Sequence, residues 1–349
     1  MKIALPLTLY CLLFCLQIQA QTSGSTEVIP PTSAEYFASA MKYKAIENYT
    51  EASRSLAKAL AADPQNDQYK KEMAELQYLR NAFYEAIPLY EAIVKTDTEN
   101  IIYLTRLAEM YSMSQQKMKG VFYANKVLKL NPTDGQTNKI LAKTYFDVQY
   151  YPKAITQYLL AERVFPMDKE IPHKLANCYA QLGKFADAMQ YYDRCIELEP
   201  NNTSIMVEAG EMCYDANNFK LANVLFQDAE NKGYTPSKSF YDTWALIQVE
   251  MKNYNLALTY YGKAKEFAPY DKDINLSIAE TYMKKGDYSK SREVLDELLE
   301  MNPNDADVIY TKGMTYFKAG NTEKAEQFFN QAFEINPALK SLRTTKSSF

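Results

Sequence analysis

The chain has 349 residues, 47% of them hydrophobic and 23% charged, with only 10 glycines and a formal net charge of −4. That balance excludes a disordered polyelectrolyte, and it gives no bulk attraction for nucleic acid, which requires a basic face. The scarcity of glycine suits a helical globular protein.

Residues 1–20, MKIALPLTLYCLLFCLQIQA, place one lysine before an apolar run and end on Ala20 ahead of Gln-Thr-Ser-Gly. This is the pattern of a secretory signal peptide. The run is shorter than the roughly 20 residues of a spanning helix and contains Pro6, so a membrane anchor is the weaker reading. Cys11 follows Tyr10 and Cys15 follows Phe14, which does not match the small residue expected before a lipidated cysteine. The expectation is an exported protein, most simply periplasmic, with secretion or cell-surface association as alternatives. An Ala-Gln junction of this kind is similar to those of Bacteroidota envelope proteins. Without Lys2 the chain carries 38 basic and 43 acidic side chains, a net charge of −5. Residues 21–32 read as a Ser/Thr/Pro-rich linker.

From Ser33 the chain repeats itself. Pro64, Pro132, Pro166, Pro200, Pro269, Pro303 and Pro337 recur at 34 residues or twice that, with a single one-residue slip. Counting 34 positions per unit, with this proline at position 32, gives nine units over residues 33–339, followed by a tail at 340–349. The stretch Lys169–Pro200 shows the unit plainly. Two short amphipathic patterns, Leu175/Ala176/Tyr179 and Ala188/Tyr192/Cys195, flank a glycine turn. Each is too short to stand alone and must bury its apolar face on a neighbour.

Position 8 is small in every unit: Ala40, Ala74, Ala108, Ala142, Ala176, Gly210, Ala245, Ala279 and Gly313. Position 20 is small as well: Ala52, Ala86, Gly120, Ala154, Ala188, Ala222, Ala257, Ser291 and Ala325. Two antiparallel helices that cross closely at those points require it, because a larger side chain would overpack the crossing. The second and third units depart most. The second has Thr98 for the closing proline, Gln77 at position 11 and Pro88 within its second helix, where a proline removes a donor. The third has Gly120 and Ala124, read here as drift that packing tolerates. The slip falls at Asn231–Pro236, where Gly233 and Pro236 mark a modified turn. Trp244, just beyond it, is expected in the core, and most tyrosines are expected between helices with the hydroxyl at an edge.

This pattern resembles the tetratricopeptide repeat (TPR) family, and the resemblance implies an all-α, right-handed solenoid of helix-turn-helix units. It also implies that first helices line a concave groove through positions 2, 5, 6, 9, 12 and 13. Carried over, these are Lys139 and Lys143, then His173, Lys174 and Asn177, then Glu208, Glu211 and Asp215, followed by Asp242, Glu250, Asp273 and Glu280. A basic patch is thus expected to face an acidic run. The two-carboxylate clamp of chaperone-binding members is present only in fragments, since Glu208 stands where the clamp would carry Asn or Arg.

Nothing in the chain reads as catalytic. His173 and Cys178 are five residues apart, about 140° around a helix, and do not pair as base and nucleophile. No ligand spacing suits zinc and no glycine-rich loop suits phosphate, so no metal or cofactor is implied. Cys178, Cys195 and Cys213 sit at packing positions and read as buried thiols, a Cys195–Cys213 bridge being the minor alternative. Glu297 and Glu300 read as an ordinary solvated face. The expected function is a non-catalytic protein-interaction scaffold of the cell envelope. It would bind a peptide or partner segment in the groove, with no nucleic acid and no membrane span. The alternative is a structural subunit or assembly factor of a secretion or motility machine. A glycan-binding protein or an enzyme is weaker still. Finally, Phe328 and Phe333 on the last helix are expected to stay partly bare and to form a terminal contact surface for a partner or a second copy. In the competing reading, Leu342 and Phe349 fold back over them.

Overall fold

A computed structural model describes residues 31–341. The expected signal segment, most of the linker, and Leu342 and Phe349 of the tail lie outside the described residues. Among those described there are eighteen α-helices and no strand, arranged as nine successive pairs. In the first three pairs α1 (Ser33–Ala45) precedes α2 (Tyr49–Ala62), α3 (Asp67–Leu79) precedes α4 (Phe83–Ile93), and α5 (Ile101–Ser112) precedes α6 (Lys117–Leu130). Next come α7 (Gly135–Asp147) and α8 (Tyr151–Val164), α9 (Glu170–Gln181) and α10 (Phe185–Leu198), then α11 (Thr203–Asp215) and α12 (Phe219–Asn231). The last three pairs are α13 (Lys238–Glu250) with α14 (Tyr254–Phe267), α15 (Lys272–Lys285) with α16 (Tyr288–Met301), and α17 (Ala306–Lys318) with α18 (Thr322–Ile335). The first helices therefore start where the 34-residue count expects them. Contacts group the chain into two compact units, Met1–Pro132 and Thr133–Phe349. Their described parts hold α1–α6 and α7–α18. No described helix is long and apolar enough to cross a membrane.

Two local devices recur with the period. Before most first helices an Asn, Asp, Ser or Thr accepts a hydrogen bond from an orphan amide of the first turn. Asn66 caps Tyr69, Asn100 caps Tyr103, Asp134 caps Thr137, Ser237 caps Phe240, and Asp305 caps Asp307 and Val308. Each such cap contributes about 1 kcal/mol. Between first and second helix, the residue at position 15 is left-handed in eight units, at Glu47, Asn81, Gln149, Gly183, Asn217, Lys252, Gly286 and Gly320. The amide of the next residue then reaches back to the carbonyl at position 11, as Asn48 does to Tyr43 and Asn253 to Gln248. That bond closes the helix end.

The crossing positions behave as the spacing requires, and they explain one another. Ala at position 8 stands opposite Leu, Tyr or Ala at position 24, whereas Gly210 and Gly313 stand opposite Phe226 and Phe329. A Cβ on Gly210 would lie 2.7 Å from the Phe226 ring, and one on Gly313 would lie 2.8 Å from Phe329. Gly120 is not drift, as expected above. A Cβ there would lie 2.9 Å from both the Ala108 carbonyl oxygen and the Ser112 amide, so the two backbones of the third unit meet at that point. Pro88 lies inside α4, which at 11 residues is shorter than the 14-residue α2. Trp244 is fully buried, stacked on Tyr260 at 4.1 Å, and its indole N–H donates to Asn223 Oδ1 at 2.9 Å. Tyr90, Tyr158 and Tyr261 are likewise core, as the composition reading anticipated.

Candidate functional site

First helices of successive units are joined side by side by polar bonds, and these define the face that a partner would meet. In the first compact unit Lys44 Nζ binds Glu72 at 2.7 Å, and the Arg106 guanidinium lies 3.9 Å over the Tyr78 ring between Glu75 and Glu109. The Tyr78 hydroxyl donates to Glu109 at 2.6 Å; burial, then that carboxylate, pushes its pKa up to about 12. Tyr90, from the second helix beneath, donates to Glu75 at 2.6 Å. Every carboxylate in this group is engaged.

In the second compact unit the expected basic patch is largely consumed within the protein. Lys139 Nζ sits 2.8 Å from Asp168 and 2.7 Å from Glu170. Burial opposes its charge, yet the two carboxylates prevail and hold its pKa above the usual lysine value. Asp168 is correspondingly held below the usual carboxylate value, with Lys139 and the Glu170 and Ile171 amides outweighing its burial. His173 Nε2 meets Glu208 Oε2 at 2.6 Å, which ties α9 to α11. Asn177 Oδ1 accepts from the Tyr192 hydroxyl at 2.8 Å. Lys174 Nζ lies 4.9 Å over the Phe146 ring, and Lys143 stands exposed. The sequence expectation of an open basic patch is therefore corrected: its central lysine and its histidine each face an acid roughly one repeat further on.

The acidic run remains open. Among the described residues Glu211, Asp215, Asp242, Asp273 and Glu280 form no ion pair, although Lys238 bridges to Asp271 at 2.7 Å and Lys272 to Asp305 at 2.8 Å. Burial, then neighbouring Glu208 and Asp215, hold the Glu211 carboxyl above its ordinary value. Asp242 is raised by its burial, with Asp271 and Asp273 adding to the effect and Lys238 opposing it. Glu211, which is exposed, and the half-buried Asp242 are thus carboxylates on this face without an ion pair of their own.

The three thiols are free and buried, which removes the bridge alternative. Burial pushes Cys178 and Cys195 up to about 12 and Cys213 up to about 11, far from the thiolate range a nucleophile needs. Among the described residues no three His, Cys, Asp or Glu side chains are grouped as metal ligands.

At the C-terminal end the structure differs from the sequence expectation. Phe333 is buried, packed with Tyr310 and Phe329, because the 3₁₀ turn Pro337–Leu339 folds back and buries Leu339 in the same cluster. Phe328 is half-buried, stacked on Tyr316 at 5.4 Å with Lys312 Nζ 4.7 Å from its ring. The pair therefore does not form a bare aromatic surface.

Models described as tetratricopeptide repeat match residues 37–101, 173–202, 248–308 and 306–339, more than half of the chain. The chain belongs to the tetratricopeptide repeat family. It is similar to the human protein O-mannosyl-transferase TMTC1, with 22% identity over 189 residues, 52% of this chain and 20% of that protein. The Hsp70-Hsp90 organizing protein of Triticum aestivum is 30% identical over 82 residues, 24% of this chain and 14% of that protein. The chain thus spans a fifth or less of the length of these relatives. A solved tetratricopeptide repeat protein from Parabacteroides merdae is similar at 17% identity, with a TM-score of 0.49 over 71% of this chain and 96% of that chain.

The sequence singled out the first-helix positions but not their pairing. Position 34 carries an acid or amide at the end of most units, and in Asp168, Asp271 and Asp305 the same residue that borders a first helix also receives a lysine from the preceding first helix. That double use is visible in the repeat once the two positions are set side by side.

Proposed function

We propose that this TPR protein is a non-catalytic interaction scaffold that holds an extended protein segment along the first helices of units five to eight. The observation that carries the reading is the open acidic run on that face. Glu211 and Asp242 form no ion pair and are held above the ordinary carboxylate value, by burial first with neighbouring carboxylates adding to it, while Lys139 and Lys238 are bound to Asp168 and Asp271. A segment with basic side chains spaced along it relieves that repulsion and binds by charge and shape together. The signal-like pattern of residues 1–20 supports an exported location, most simply the periplasm, so the partner belongs to the cell envelope.

The test places a photo-crosslinking amino acid at Asp215 or Asp273 on the first-helix face, and at Asn255 on a second helix as control. In envelope fractions, a defined protein crosslinked from the first-helix positions, and lost with Glu211→Lys, is the expected result. Equal crosslinking from all three positions, or insensitivity to Glu211→Lys, would overturn the proposal.

A further inference from the structure

Among the described second helices, that of the third unit is set apart by its surface. Residues 110–133 contain Lys117, Lys119, Lys126 and Lys129 and no Asp or Glu, in a chain with 43 acidic residues overall. Every other second helix has at least one acid. In α6 the buried residues are Gly120, Val121, Ala124 and Val127. At 100° per residue, the opposite arc carries Asn125, Met118, Lys129, Phe122, Lys126, Lys119 and Leu130.

The apolar members of that arc are open. Met118 is 64% exposed, Phe122 55% and Leu130 41%. Twelve residues separate Met118 from Leu130, so they span about 18 Å along the helix. Lys119, Lys126 and Lys129 stand among them. Lys126 Nζ lies 4.8 Å from the centre of the Phe122 ring and Lys119 Nζ 5.1 Å from that of Tyr111, so each ammonium rests over an aromatic face rather than beside an acid. A solvated helix face ordinarily mixes both signs and few large apolar groups; this one has a single sign and an apolar stripe.

We infer that the outer face of α6 docks on an anionic lipid surface, with Met118, Phe122 and Leu130 entering the headgroup boundary and Lys119, Lys126 and Lys129 meeting lipid phosphates. Charge complementarity selects the occupant. An interfacial helix combines a lysine-rich polar face with Phe and Leu on the apolar one. The outward arc of a helix is also a ridge, which suits a broad surface better than a single peptide, which requires a groove. The protein's negative net charge does not prevent this, because at about 0.1 M salt charges beyond about 10 Å are largely screened. The surface is on a second helix, apart from the first-helix face, so its test stands independently of the proposed function.

The test is vesicle sedimentation with the chain lacking residues 1–20, which lie outside the described fold, so that this apolar run does not contribute. Vesicles containing phosphatidylglycerol are compared with vesicles of phosphatidylcholine alone. Binding only to the anionic vesicles is expected, and its loss at about 0.5 M salt. Each lysine contributes about fivefold near an anionic surface, so Lys119→Gln, Lys126→Gln and Lys129→Gln together should lower partitioning about 100-fold. Met118→Gln with Phe122→Gln, both exposed and therefore neutral to folding, should also release the protein. Melting temperatures of all variants should match the parent. No sedimentation with anionic vesicles would overturn the inference, as would equal binding to neutral ones or indifference to both sets of substitutions. Binding to polyglutamate with none to vesicles would overturn it in favour of an acidic protein partner.

Discussion

Gly210 and Gly262 make the most demanding prediction, because the same substitution should move stability in opposite directions. Both are helical, Gly210 in α11 and Gly262 in α14, so replacement by alanine gains about 1 kcal/mol of helix propensity at either site. At Gly262 a Cβ meets nothing within 4 Å, and the full gain should appear. At Gly210 the new methyl would fall 2.7 Å and 2.8 Å from two ring carbons of Phe226. That ring cannot retreat, since it is fully buried and stacks on Phe240 at 4.9 Å with Trp244 behind it at 6.0 Å. Overpacking of this kind is unfavourable by about 1–3 kcal/mol. It outweighs the propensity gain and leaves a net loss of about 1 kcal/mol. Phe226→Leu alone should lose about 1–2 kcal/mol of packing. The double variant reproduces the combination already used at Ala40/Leu56 and Ala279/Leu295. It should recover most of the loss, with a coupling energy of about 1 kcal/mol or more. Urea unfolding of the four variants and the parent provides the readout. If Gly210→Ala is stabilised as much as Gly262→Ala, the close approach that defines the crossing positions is not what governs them.

Three further outcomes follow from the same structure. Lys252 holds a left-handed φ of 60° without being glycine, so Lys252→Gly should raise stability by about 0.5–1 kcal/mol in urea unfolding, whereas Gly183→Lys, at φ 69°, should lower it comparably. The buried thiols, pushed to about 11 and 12, are protonated at pH 8, so iodoacetamide should label none of Cys178, Cys195 and Cys213 until denaturant is added, as read by mass spectrometry. The folded state binds a proton at Glu211 and at Asp242 more tightly than the unfolded chain does, so their ionisation opposes folding as pH rises above about 4 and the penalty vanishes on acidification. Glu211→Gln with Asp242→Asn should therefore flatten the loss of stability as pH rises from about 4, measured by melting temperature against pH.

What could be read from the chain beforehand was whatever repeats with it. Small residues at positions 8 and 20 and the closing prolines located all nine helix pairs, because a helix crossing leaves the same steric demand in every unit. Trp244 fell into the core for the same reason. Features that depend on two units at once were harder to see. Lys139 looked like an open cation because Asp168 and Glu170, about 30 residues on, approach it only when neighbouring first helices lie side by side. Phe333 looked bare because its cover, Leu339, arrives through a turn beyond the last full helix. The left-handed residues at Glu47, Gln149 and Lys252 carry no glycine signal, since the closing backbone bond at the helix end holds them there. The grouping into two compact units falls at Pro132–Thr133, where the 34-residue count runs on without a break, so periodicity alone gives no sign of it.

The most direct test of the scaffold reading is hydrogen exchange on the protein with and without the partner found by crosslinking. The account predicts slowed exchange in the first helices α9, α11, α13 and α15, with the second helices α10, α12 and α14 unchanged. Protection confined to the second helices, or to the last unit alone, would contradict it.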